Sequence, residues 1–101
     1  MARTIRGFTD LGVKVAITEM DVKLDSPGTP AHRLERQRRV YRASARACRK
    51  NPRCTSFSTW GVSDGVSWLG PAAAGLLFDR RFRHKPAYNA VSGSLGSPGA
   101  P

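Results

Sequence analysis

The apolar positions of this chain follow two periods in turn, one helical and one extended. In residues 2–10, Ile5 and Phe8 stand three apart, which reads as the end of a helix, with Gly12 just beyond as its stop. Val13-Lys14-Val15-Ala16-Ile17-Thr18 is short, apolar and β-branched, the pattern of a buried strand running to about Asp21. Asp25, Ser26, Pro27 and Gly28 supply turn chemistry between Leu24 and Thr29. Thr29 followed by Pro30 then predicts a helix start: a hydroxyl cap, and a proline where a missing N–H costs nothing. The helix is expected over 30–50, with Leu34, Tyr41, Ala45 and Cys48 on its inner stripe and Asn51-Pro52 as its stop. Cys54 to Trp60 reads as a second strand, Gly61 to Gly75 as a long loop, and Leu76-Leu77-Phe78 as a short apolar segment before a turn at 79–81. A last helix is expected from Pro86 to about Leu95. The tail 96–101 holds only Gly, Ser, Pro and Ala, too little apolar surface to order itself.

Strands alternating with helices predict parallel strands in an α/β fold. Two strands alone cannot form a shielded parallel sheet, so further strands are expected to complete it. Without them, exposed edges and an open face on Val15 and Ile17 predict poor independent stability.

Charge adds a second possibility. Lys and Arg number 17 against seven acidic residues, a net charge of +10. Nearly all the excess is Arg, and much of it falls on the expected helix: Arg33, Arg36, Arg38, Arg39, Arg42, Arg46 and Arg49 against Glu35 alone. A basic helix of this kind suits polyanions, so nucleic-acid binding through 30–50 is the alternative reading. No helix-turn-helix, zinc-finger or RNA-binding motif accompanies it. The most apolar uncharged stretch, 65–78, is interrupted by Gly70-Pro71 and is too short to span a bilayer. Met1 is followed by polar residues with no apolar h-region, so no signal peptide is expected in this chain.

The candidate chemistry lies where the first strand ends. Glu19 sits at that C-terminal end, and Asp21, two residues on, is expected on the same face. The two are not a catalytic pair by themselves. Neighbours on one strand are about 6.5–7 Å apart, whereas retaining glycosidase chemistry needs carboxylates about 5–5.5 Å apart across the scissile bond. Trp60 ends the second strand, with the small residues Ser56 and Ser58 before it, and Trp68 follows in the loop. Indole rings near carboxylates suit a carbohydrate, whose C–H faces pack on the ring while its hydroxyls meet the acids. A third reading is therefore a sugar-binding module without catalysis. His32 and His84 read as surface residues and offer no metal spacing.

The stretch Phe8-Thr9-Asp10-Leu11-Gly12-Val13, continuing through Val15-Ala16-Ile17-Thr18-Glu19-Met20-Asp21-Val22, resembles the region around strand seven of glycoside hydrolase family 10, the endo-1,4-β-xylanases. Cys48 and Cys54, Trp60-Gly61, Asp64, Ser67-Trp68, Leu76-Leu77-Phe78-Asp79 and Lys85-Pro86-Ala87-Tyr88 follow in family order. The resemblance covers residues 3–95. It implies strands seven and eight, with their helices, of a (β/α)8 TIM barrel: a partial catalytic domain over 1–95 and a flexible tail over 96–101. It further implies Glu19 as the nucleophile and Asp21 as a supporting carboxylate near a histidine that orients the nucleophile. Trp60 and Trp68 become aromatic walls around the sugar, xylan or a xylo-oligosaccharide becomes the substrate, and no cofactor or metal is implied. It implies a Cys48–Cys54 disulfide and a secreted protein. The family's acid/base Glu follows a Trp-Asp-x-x-Asn motif that does not occur here, and neither His32 nor His84 matches the orienting histidine. The 101 residues are thus expected to be inactive by themselves.

Overall fold

The computed structural model describes residues 1–24, 27–59, 61–65 and 73–96. The tail from 97 onward lies outside the described residues. Five elements follow in the order α1 (Ala2–Thr9), β1 (Val15–Met20), α2 (Pro30–Lys50), β2 (Cys54–Thr59) and α3 (Pro86–Leu95). β1 and β2 pair in parallel, with α2 as the crossover between them. No helix among the described residues is long and apolar enough to cross a membrane.

Local chemistry accounts for the helix ends. The Thr29 hydroxyl accepts the His32 N–H at 3.2 Å, and Pro30 occupies the first turn of α2. At its other end the Asn51 N–H reaches the Cys48 carbonyl, while the Asn51 amide donates to the Thr9 hydroxyl at 3.1 Å. This second bond ties the end of α1 to the end of α2. A disulfide between Cys48 and Cys54 joins the last turn of α2 to the first residue of β2. Closing so short a loop contributes about 2–2.5 kcal/mol in the chain-entropy model. Gly12, at φ +89°, lets the chain leave α1 through a left-handed turn.

The core lies between α2 and α3. Tyr41, Ala45, Ala87 and Val91 are buried together, and Met20, Val22, Phe57 and Leu77 close over them from the sheet side. Two details differ from the sequence pattern. In α1, Thr9 is buried with Ile5, while Phe8 is 54% exposed: the buried stripe runs at a spacing of four rather than three. In α2, Leu34 is only half-buried and Gln37 takes the stripe position before Tyr41, with 1% exposure. Phe8, Leu11, Val13 and Val62 all remain exposed, a large apolar area for so small a unit.

A buried ion pair organises the irregular half of the chain. Lys85, immediately before α3, places its ammonium 2.8 Å from Asp64 Oδ2, and both side chains are 5% exposed. The same ammonium donates to the Ala74 carbonyl at 2.8 Å, and Asp64 Oδ1 accepts the Leu76 N–H at 2.9 Å. Burial pushes the Lys85 ammonium below its ordinary range, and the nearby Asp64 carboxylate opposes that shift. One salt bridge thus holds three segments, around residues 64, 74–76 and 85. Replacing Lys85 with Ala strands the buried carboxylate and is expected to cost about 3 kcal/mol or more in urea unfolding. The Lys85→Met/Asp64→Leu pair, which strands no charge, should cost less. A double substitution more damaging than the single one contradicts this.

Candidate active site

Glu19 owes its position to an irregularity in the sheet. Ile17 pairs with Phe57 and Met20 with Thr59, so three steps along β1 match two along β2. The extra residue is a β-bulge at Thr18–Glu19, and bulges re-aim side chains. Along β1, Val15 and Ile17 are half-buried while Ala16 and Thr18 are exposed. Simple alternation would turn residue 19 inward, yet Glu19 is exposed and Met20 takes the inward position. The shared-face argument for Asp21 also changes, because β1 ends at Met20 and Asp21 lies past it. Asp21 is half-buried where Glu19 is exposed. Both carboxylates nevertheless line one groove of about 620 Å³ between β1 and α2, with Arg33, Arg36 and Val40 on the helical wall.

Past the strand, the backbone is fixed by the loop that follows β2. Val22 N–H donates to the Gly75 carbonyl at 3.0 Å, and Leu24 N–H to the Ala73 carbonyl at 2.8 Å. Gln37 crosslinks the two segments, its amide donating to the Val22 carbonyl at 2.7 Å and the Ala74 carbonyl at 2.6 Å. The Tyr41 hydroxyl donates to the Gly75 carbonyl, with the Met20 carbonyl 3.5 Å away. Ala74 is therefore held by two side-chain donors, Gln37 and Lys85, in a left-handed conformation with φ 45°. That conformation costs an L-residue roughly 1–2 kcal/mol. Burial, followed by the negative charges of Asp21 and Asp64, pushes the Tyr41 phenol well above its ordinary range.

The structure therefore brings Glu19 and Asp21 together, and beneath them it adds Gln37, Tyr41, Asp64 and Lys85. The sequence stripe pointed to Tyr41 as an apolar core residue, and a polar residue at position 37 of that stripe was the one available signal for Gln37. Trp60 and Trp68 lie outside the described residues. Ser56 and Ser58 are exposed. His32 is exposed at the start of α2. His84 is also at the surface, but its ring stacks on Tyr88 with centroids 3.7 Å apart and meets the edge of Phe78 at 5.3 Å. Neither histidine lines the groove that holds Glu19.

Residues 1–94 match the family model for glycosyl hydrolase family 10. Endo-1,4-beta-xylanase 2 of Aureobasidium pullulans is 38% identical over 96% of this chain, and endo-1,4-beta-xylanase B of Humicola insolens is 36% identical over 97%. The chain spans 28% of the length of each of these relatives. Among solved structures, native xylanase 10B of Thermotoga maritima superposes with a TM-score of 0.83 at 32% identity, over 93% of this chain and 30% of its own. Xylanase 10B of Thermotoga petrophila, solved with xylobiose, gives the same TM-score at 31% identity, again over 93% of this chain and 30% of its own. These neighbours are TIM-barrel xylanases, and the α/β piece seen here corresponds to part of that barrel.

The raised Tyr41 phenol makes stability depend on alkaline pH. Below pH about 10, the ordinary tyrosine value, both folded and unfolded chains hold the phenol proton and its contribution is complete. Above it the unfolded chain releases the proton first, so the folded state binds more protons. Stability then falls as pH rises, by about 1.4 kcal/mol per unit, until the folded phenol titrates. Lys85 contributes an opposite slope below its own ordinary value, but it does so with or without the phenol. Subtracting urea-unfolding curves of Tyr41→Phe from those of the parent between pH 9 and 11 should isolate the Tyr41 slope, both limits being about one unit from that value. Parallel pH profiles for the two proteins would contradict it.

Proposed function

We propose, on the footing that this chain belongs to glycosyl hydrolase family 10, that it carries the nucleophile half of a retaining endo-1,4-β-xylanase site. The observation that carries this reading is Glu19, turned out by a β-bulge at the C-terminal end of a parallel strand. Catalytic groups of such barrels come from those strand ends. In this reading Glu19 attacks the anomeric carbon of a xylosyl unit and forms a glycosyl-enzyme, which water then hydrolyses with net retention. Asp21 is the supporting carboxylate, and Trp60 and Trp68 are the aromatic walls around the sugar. Xylan or a xylo-oligosaccharide is the substrate; xylobiose in the Thermotoga petrophila structure and xylohexaose in the Clostridium thermocellum Xyn10B structure support that choice. The Cys48–Cys54 disulfide supports a secreted setting, since such bonds persist in oxidising compartments.

The acid/base carboxylate is not among these 101 residues, because no Trp-Asp-x-x-Asn motif occurs in them. Protonation of the leaving oxygen contributes about 10²–10⁴-fold to such reactions. The 101-residue polypeptide by itself is therefore expected to release no reducing sugar from xylan. Residues 3–95, grafted onto the first six strands of an active family 10 xylanase, should cleave an activated aryl xyloside with retained anomeric configuration. Glu19→Gln should lower the graft's kcat by about 10³-fold or more. A folded graft whose activity is indifferent to Glu19 would refute the assignment, whereas hydrolysis by the ungrafted chain that Glu19→Ala abolishes would refute only its expected inactivity.

A further inference from the structure

A densely cationic groove lies away from Glu19. On α2, Arg38, Arg42, Arg46 and Arg49 line one side of a groove of about 440 Å³, together with Lys50. Arg38, Arg42 and Arg46 follow four residues, about 6 Å, apart along the axis, and Arg49 three residues, about 4.5 Å, further on. Only Arg38 is neutralised, by a two-pronged contact with Glu35 at 2.6 and 2.8 Å. Arg42, Arg46 and Arg49 have no ion pair among the described residues and are exposed. The opposite wall belongs to α3 and is made of Asn89, Ala90, Gly93 and Ser94. At Gly93 an added Cβ would meet nothing within 4 Å, so the wall stands open to a ligand.

We infer that this groove binds a linear polysaccharide bearing carboxylates, a polyuronate, along the Arg42–Arg46–Arg49 row. Guanidinium forks pair with carboxylates through two parallel hydrogen bonds. The Asn89 amide and the Ser94 hydroxyl on the facing wall suit sugar hydroxyls; the Ser94 hydroxyl donates to the Ala90 carbonyl and keeps its acceptor capacity. The groove residues include no aromatic ring, whereas single-stranded nucleic acids are held by stacking their bases on aromatic side chains. The inference uses α2 and α3 alone and does not depend on the role of Glu19.

Fluorescence anisotropy with the full chain and a labelled oligogalacturonate tests it. Binding is expected, weakening as salt rises, while labelled xylohexaose should show none of that salt dependence at this groove. Arg42→Gln/Arg46→Gln should weaken oligogalacturonate binding about tenfold or more, because charge-assisted hydrogen bonds are lost. Arg80→Gln/Arg81→Gln removes the same charge from an exposed turn and should change it less than about twofold, as a distant screened charge does. Arg42→Lys/Arg46→Lys keeps the charge without the fork and should fall between the two. Circular dichroism of each variant separates lost binding from lost fold. Equal losses in the two glutamine variants would mean that net charge alone attracts the ligand, and would overturn the inference. Tighter binding of a single-stranded DNA of matched charge would overturn it as well.

Discussion

The contact between Lys85, Asp64 and the Ala74 carbonyl is the constraint on which the non-helical half of the molecule depends. Residues 61–65 and 73–85 contain no long helix or strand to supply their own hydrogen bonds; among the described residues they form only isolated bridges at Ser63, Phe78 and His84. A few backbone bonds join them, such as Asp64 N–H to the Phe78 carbonyl at 2.9 Å and Lys85 N–H to the Leu77 carbonyl at 3.0 Å, and buried side chains complete their order. A paired charge with 5% exposure carries a large desolvation cost, so it persists only where further hydrogen bonds satisfy both partners. Here the Leu76 N–H and the Ala74 carbonyl complete the set. From that anchor the order passes to Gly75, which receives the Val22 N–H and the Tyr41 hydroxyl, and so to the exit of β1 where Glu19 and Asp21 stand.

This arrangement explains which parts of the molecule were legible in the sequence. The helices and strands follow from short-range chemistry: Thr29-Pro30 starts α2, Asn51-Pro52 stops it, and β-branched residues make β1. Glu19 was legible as a position at a strand end, and the resemblance to family 10 gave it a role. Its orientation was not legible. Period-two reasoning fails at the bulge, because the extra residue between Ile17 and Met20 depends on how β2 pairs, which no local pattern encodes. The buried pair was hidden for a similar reason: Asp64 and Lys85 are 21 residues apart and look like ordinary surface charges until the fold buries them.

The exposed apolar residues belong to the same picture. Phe8 on α1 and Leu11, Val13 and Val62 in the loops are uncovered, and among the described residues the sheet has two strands and two open edges. Relatives that superpose on this unit do so over about 30% of their own length, as part of a closed barrel. A closed barrel has no edge strands. The proposed site needs the same closure, since in that reading one carboxylate cannot serve as both nucleophile and proton donor in the first step of a retaining reaction. The arginine row on α2 stands apart from both, with its own groove against α3.

The buried Lys85–Asp64 pair, acting through residues 73–76, fixes the backbone beyond β1. Native-state hydrogen exchange of the Val22 and Leu24 amides measures this directly, because both donate to that segment. In Lys85→Met, local opening should speed exchange at these two amides by about tenfold or more, with the Ala45 and Cys48 amides inside α2 changing much less. Unchanged protection at Val22 and Leu24, or an equal loss throughout α2, would contradict this role of the pair.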